Sequence, residues 1–532
     1  MTRHLRIFAM AAPLFATVAA GPALAQKAGG ILRVHQWDNP PSLSIHEEVT
    51  AVTLVPMMGV FNNLVMYDQH VPQNSLQSII PDLATSWSWS EDGTELTFRL
   101  RDGVKWHDGR PFTAKDVQCT WDLLLGKSQD KLRTNPRKAW YQNLDRVTTE
   151  GDLTVAFHLK RPQPAFIALL ASGYSAIYPC HISPRDMRQH PIGTGPFIFK
   201  EFKPNESMKV VRNPDYWKAG RPYLDGIEYT VIPNRSTVVL AFVAGKFDLT
   251  WPYVGLTIPL LKEVKSQMPQ AVCETRTPNA AGTLIVNREK PPFDNPDLRR
   301  ALALSLDRKG FIDILTEGQG KIGGAMLPPP DGVWGMPPDM LKTLPGYDPD
   351  ISNNRSEARR IVEKLGYGPD HRLNVKVTAR NIPTLRDPAV ILIDQLKEIY
   401  IDGELDIVET ASWFPKLAPR DFQVGFIFIP GGVDDPDQQL YENYACGSER
   451  NYSGYCNREI EKMFDQQSIE ANQEKRKQLV WEIDKKLQED GARPIIYYAR
   501  DVTCWQPQLK GLTTMANSAF NGWRFEDVWL DK

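Results

Sequence analysis

Pro81–Val117 reads PDLATSWSWSEDGTELTFRLRDGVKWHDGRPFTAKDV. Trp87 and Trp89 share one face of a period-2 run, and Glu91-Asp92-Gly93-Thr94 supplies the backbone freedom of a tight hairpin turn. Leu96, Phe98 and Leu100 alternate with Thr97, Arg99 and Arg101, the pattern of a half-buried strand. Asp102-Gly103 and Asp108-Gly109 mark two further turns. Thr113-Ala114-Lys115-Asp116 opens a helix with Thr113 as its cap.

The order Ala-x-Ser-Trp, Asp-Gly, Phe-x-Leu-Arg, Gly-Val-x-Trp-His-Asp-Gly, Thr-Ala-x-Asp-Val resembles the signature of the bacterial extracellular solute-binding proteins of family 5. These are the oligopeptide-, dipeptide- and nickel-binding receptors of ABC importers. The resemblance extends over nearly the whole mature chain. It implies a two-lobed α/β periplasmic binding protein, a Venus-flytrap of the large type with an extra subdomain in lobe one. The signature belongs to the scaffold and says little about the cargo.

Outward from that stretch, the N-terminus carries Arg3, His4 and Arg6, then an apolar run and Ala23-Leu24-Ala25. A short basic start, a short apolar core and Ala-x-Ala read as a signal peptide over residues 1–25, with no Cys after the cut for lipid attachment. The mature chain then begins near Gln26 as a periplasmic protein, long enough for two or three domains. A net charge of −2 gives no basic footprint for nucleic acid. Fourteen Trp and 17 Tyr are many for so polar a chain, and some of these amphipathic rings are candidates to line a cleft.

Further segments fit the same family. Gly30–Trp37 alternates as a first strand, with Trp37 at its end a candidate ligand contact. Gly193-Thr194-Gly195-Pro196 and Asn213-Pro214-Asp215-Tyr216-Trp217 match family motifs. The glycine turn lacks a following helix and Lys-Ser/Thr, so it is structural and not a phosphate cradle. Asn295-Pro296 caps and starts a helix within FDNPDLRRALALSLDRKGF, where Arg299, Asp307 and Arg308 read as structural salt links. The expected division is lobe one over 26–276 and 503–532, with an inserted subdomain about 64–191, and lobe two over 277–502. The chain crosses between lobes near 276–280 and 497–503.

Candidate ligand residues follow from strand ends and from the resemblance. Trp251 and Tyr253 fall near where relatives face the cleft, and read equally as core aromatics. Arg380 and Asn381 end the strand beginning at Leu373, and ligands of two-lobed α/β proteins lie at strand ends. Arg380 is the candidate partner for a carboxylate, with an ordinary surface arginine as the alternative. Peptide-binding relatives carry Trp-x-x-Asp before a Pro, and that Asp holds the peptide amine. Counting back from Pro436 puts Ile429 at the Trp and Gly432 at the Asp, so the carry-over fails. Asp434 or Asp435 takes over only if the loop is shifted; otherwise the ligand has no α-amine.

Six Cys in an exported chain point to disulfides. Cys446 and Cys456 close a short loop, and dipeptide-binding relatives carry a bridge in that region. Cys119, on a helix, reads as a buried thiol, and Cys180, Cys273 and Cys504 are left unpaired by the sequence. His35, His46 and His107 lack ligand spacing, so no metal or cofactor is expected. The function these readings imply is that of a monomeric receptor, not an enzyme. It would deliver a peptide or peptide-like solute to an ABC permease. A non-peptide solute (opine, glycoside or metal chelate) is the alternative, and a secreted hydrolase the remoter one.

Overall fold

A computed structural model describes residues 26–252 and 255–532. Tyr253 and the expected signal peptide lie outside the described residues.

The first lobe is built on a sheet in which Ile31–Gln36 runs parallel to Gly226–Val231, followed by Ser207–Arg212 and Phe197–Lys203. Single bridges from Val34 to Leu249 and from Leu249 to Trp505 extend it to the ribbon Val272–Arg276/Asp501–Trp505. The signature stretch forms a second, four-stranded antiparallel sheet, ordered Ala84–Trp89, Glu95–Leu100, Thr154–Leu159, Leu144–Glu150. Its turn needs Gly93 at φ +68°, which Asp-Gly supplies. Leu96, Phe98 and Leu100 all point into the core, as their alternation requires.

The polar residues of the signature wire this subdomain to the lobe. Asp116 accepts from Thr113 N at 3.0 Å, Cys180 N at 3.0 Å and Trp106 Nε1 at 3.4 Å, so it caps the helix Ala114–Leu124 and anchors two loops. His107 accepts from Gly193 N through Nδ1 (3.2 Å) and therefore donates from Nε2 to Gly195 O (3.0 Å). Burial holds this neutral imidazole down at about 4. Gly193 is obligatory because a Cβ there would lie 1.9 Å from Val60 O. The glycine turn is thus a packing device. Burial pushes the Asp82 carboxyl up, but Arg524 (Nη1–Oδ2 3.0 Å) and Lys218 outweigh it and hold it below its usual value.

The second lobe has a five-stranded mixed sheet, ordered Ile401–Val408, Leu373–Arg380, Val424–Pro430, Ala280–Val286, Ile495–Tyr498. Asn295 caps the helix Pro296–Ser305 by accepting from Asp297 N and Leu298 N. The expected salt links at Arg299 and Arg308 are corrected by the structure. Arg299 donates to Phe293 O and Asp294 O, Arg308 to Ile495 O and Gly346 O, and Asp307 caps the next helix through Gly310 N. These arginines therefore satisfy backbone carbonyls instead of carboxylates.

The ribbon at 272–276 and 501–505 belongs to the first sheet, while 280–286 and 495–498 belong to the second, so residues 277–279 and 499–500 carry the chain across. Three disulfides are present: Cys119–Cys180, Cys273–Cys504 and Cys446–Cys456. The reading of Cys119 as a free thiol is thereby corrected. Its partner Cys180 lies on a loop that only the tertiary fold brings onto the helix. Cys273 and Cys504 are directly paired in register across the crossing ribbon.

Candidate functional site

A cavity of about 80 Å³ lies between the lobes. Trp37, Val49, Thr50 and Ala51 line it from the first lobe, with Phe520 from the C-terminal tail. Arg380, Trp413, Phe414, Phe428 and Arg450 face it from the second lobe. No lining residue comes from the signature subdomain. A smaller chamber of about 50 Å³ adjoins it, sharing Thr384 and Phe428 and lined by Arg235, Asp387 and Arg500.

Arg380 closes the strand Leu373–Arg380 and is only 6% exposed, which no surface arginine would be. Its Nε donates to Thr410 Oγ1 at 2.8 Å and its Nη2 to Asp38 Oδ2 at 3.4 Å. Thr410 Oγ1 also donates to Asp38. Asp38 follows the first strand of lobe one, so this trio bridges the two lobes. The guanidinium lies 5.0 Å from the Trp37 ring centre, a cation–π contact. Burial lowers Arg380 to about 10, partly offset by Asp38, and it stays charged at neutral pH.

Trp37 packs edge-on against Trp251, ring centres 6.2 Å apart. Trp251 is fully buried and does not line the cavity; its indole N–H has no partner. Of its two readings, core and cleft, its position is the core one, directly behind Trp37. Asn381 is exposed and donates to Glu409 Oε1 at 2.7 Å, outside the cavity.

Neither Asp434 nor Asp435 reaches the cavity. Asp435 caps the helix Pro436–Asn443 and holds a two-pronged pair with Arg476 (2.9 and 2.8 Å). Asp434 Oδ2 accepts from Asn517 Nδ2 at 2.9 Å and from Val333 N at 3.4 Å. Burial pushes its carboxyl up to about 7. Asn517 and Asn521 zip the seam between the lobes. Asn517 also donates to Asn74 O, and Asn521 donates to Gly432 O and Asn74 Oδ1.

Gly432 itself is walled in. A Cβ there would lie 2.8 Å from Trp140 Cη2 and 3.1 Å from Ser172 Oγ, both on the signature subdomain. Trp140 donates from Nε1 to Glu442 Oε2 (2.5 Å), and Gln438 donates to the same oxygen (2.6 Å). Gly432, the position that the family pattern assigns to an amine-holding acid, therefore faces an indole and has no room for a side chain.

Of the residues singled out in the sequence, Trp37 and Arg380 line this cavity; Trp413, Phe414, Phe428, Phe520 and Arg450, which also line it, and the bridging Asp38 and Thr410 were not singled out. Arg450 was in view inside the Cys446–Cys456 loop, CGSERNYSGYC, which the bridge staples beside the cleft. Asp38 directly follows Trp37 and carried the only other local signal.

Two lobes joined by paired crossings, with an aromatic and cationic cavity between them, define a solute-binding protein of the closing-cleft kind. Residues 78–451 match the bacterial extracellular solute-binding proteins, family 5. The chain belongs to that family. It is 25% identical to di/tripeptide-binding protein 1 of Pseudomonas aeruginosa (strain UCBPP-PA14), covering 89% of each chain. It is 27% identical to oligopeptide-binding protein AppA of Bacillus subtilis (strain 168), over 81% of this chain and 80% of that one. Among solved structures it superposes on the ABC transporter-associated periplasmic binding protein DppA from Helicobacter pylori in complex with peptide STSA. The TM-score is 0.84 at 22% identity, covering 95% of this chain and 99% of that one.

Proposed function

We propose that this protein is the monomeric, periplasmic substrate-binding component of an ABC importer. It captures a peptide or peptide-like solute between its lobes and presents it to the membrane permease. The observation that carries this reading is the inter-lobe cavity, which buried Arg380 and the rings of Trp37, Trp413, Phe414 and Phe428 line together. Arg380 supplies a buried positive charge on the cavity wall, and the rings supply apolar walls of broad tolerance. Thr410, Arg380 and Asp38 already span the cleft, so a ligand that adds contacts to both lobes shifts the population toward this closed form. The closed shape is what the permease reads, and no bond is made or broken.

A second reading, a non-peptide solute, is favoured by Gly432. With Trp140 in the place of an amine-holding acid, a free peptide amine has no partner there. Native mass spectrometry of the protein taken from its own periplasm tests the two. A distribution of short-peptide masses establishes the peptide reading, and a single non-peptide mass replaces it. Turnover of a bound compound by the purified protein would overturn both in favour of an enzyme.

A further inference from the structure

The charges around the cavity do not balance. Arg380 and Arg450 line the main chamber, with their carboxylate partners Asp38 and Glu442 outside its lining, and Arg235 and Arg500 line the smaller one with Asp387. No Asp or Glu lines the main chamber among the described residues.

Behind its wall the excess is larger. Arg450 is 5% exposed and ion-paired to Glu442 through Nη1 and Oε1, and its Nε has no partner. Glu442 is shared: its other oxygen already accepts from Trp140 and Gln438. Arg137 is 1% exposed and stacks on the Tyr174 ring, 3.9 Å from its centre. It donates only to two backbone carbonyls, Ile45 O and Glu48 O, and its Nε and Nη1 have no partner. Arg493, also 1% exposed, donates to Arg450 O and Asn443 Oδ1. Burial and the neighbouring Arg450 lower both Arg137 and Arg493 to about 10. Among the described residues, Arg450 alone of these three guanidiniums has a carboxylate ion pair, and Arg137 and Arg493 have none. Uncompensated buried charge is costly, and a bound anion relieves it.

We infer that the cavity is built for an anionic solute: an acid group seated against Arg450, an apolar or aromatic body between Trp413, Phe414 and Phe428, and no ammonium group. An N-acylated amino acid or dipeptide is of this class; a free zwitterionic peptide is not. The inference rests on the inter-lobe cavity being the ligand site. A free ammonium placed in the main chamber would meet two arginines, while the acids paired to them, Asp38 and Glu442, lie outside the lining. A carboxylate there gains charge-assisted hydrogen bonds, each shorter and stronger than a neutral one.

Titration calorimetry of the mature protein with four matched probes tests it: N-acetyl-Ala-Phe, free Ala-Phe, N-acetyl-Ala-Phe amide and Ala-Phe amide. The expected order is N-acetyl-Ala-Phe at least ten-fold tighter than the zwitterion and the neutral amide, with the cationic amide not bound. Arg450→Gln narrows the acid-over-amide ratio at least ten-fold. If that variant fails to fold, the charge-neutral pair Arg450→Gln/Glu442→Gln is read instead. Free Ala-Phe binding as tightly as its acetylated form overturns the inference while upholding the peptide-receptor reading. Failure of all four to bind overturns it as well, and the material carried from the periplasm then judges the importer reading separately.

Discussion

Adding one methyl group at position 432 tests how the lobes meet. Gly432 sits on the second lobe, and the atoms its Cβ would strike, Trp140 Cη2 at 2.8 Å and Ser172 Oγ at 3.1 Å, sit on the first. Trp140 donates to Glu442 and rests against Tyr174, so it has no free swing. Gly432 N donates to Gln438 Oε1 at 3.1 Å and its carbonyl accepts from Asn521, so the backbone is fixed as well. The glycine is not at positive φ, so the cost of Gly432→Ala is steric and not conformational. Overpacking of this kind costs about 1–3 kcal/mol. The clash exists only when the lobes are together, so that cost falls on closure. Affinity for whatever ligand the protein carries should drop about 5- to 150-fold, while the melting temperature of the ligand-free, open protein stays within about 1 °C. Gly432→Ala/Trp140→Ala should recover part of the affinity, because the double variant removes the clash. Calorimetry with the ligand extracted from the wild-type protein reads the affinity, and small-angle scattering reads the closed fraction. Unchanged affinity in Gly432→Ala would refute the packing argument. An equal loss of melting temperature in the free protein would show that the contact does not depend on closure.

Ligand affinity should depend on pH through Asp434, which lies near Tyr67 of the first lobe and near Asp435 and Tyr498 of its own lobe. Burial in the closed form raises its carboxyl to about 7, so closure takes up a proton, and affinity falls by up to about ten-fold per pH unit from about 4 to about 7 and is flat above. Asp434→Asn should flatten that profile, whereas Asp484→Asn, at a buried acid raised to about 6 but away from the seam, should change thermal stability and not the binding profile. Asp38→Asn weakens the bridge to Arg380 and Thr410 and should cost closure about 1.5–3 kcal/mol, read as a 10- to 150-fold loss of affinity; a change under two-fold would show that the bridge does not hold the closed form. Cys119→Ser/Cys180→Ser opens a loop with a sequence separation of 61 and should cost about 4 kcal/mol by loop entropy, measured as a lower denaturant midpoint; an unchanged midpoint would place the bridge outside the unit that unfolds cooperatively.

The scaffold was legible in the sequence because its determinants are local. Asp-Gly turns, the alternation Leu96-Phe98-Leu100, the Thr113 cap and Asn295-Pro296 each act within a few residues, and each formed the element its chemistry dictates. Arg380 was legible for a related reason: it ends a strand, and strand ends face the cleft. The absence of an acid at Gly432 was also plain in the sequence.

What fills that absence was not, because Trp140 is 292 positions away from Gly432 in the chain and meets it only when two lobes close. The same holds for Asp38 with Thr410, for Cys119 with Cys180, and for Asn521 with Gly432. Asp434 and Asp435 show the limit from the other side: their spacing suited an anchor, but folding gave one to Arg476 and the other to Asn517. Periodicity and turn chemistry fix which surfaces a segment can present. Which surfaces meet, and therefore which charges remain uncompensated around the ligand, is decided by long-range packing between elements that carry no mark of one another in the sequence.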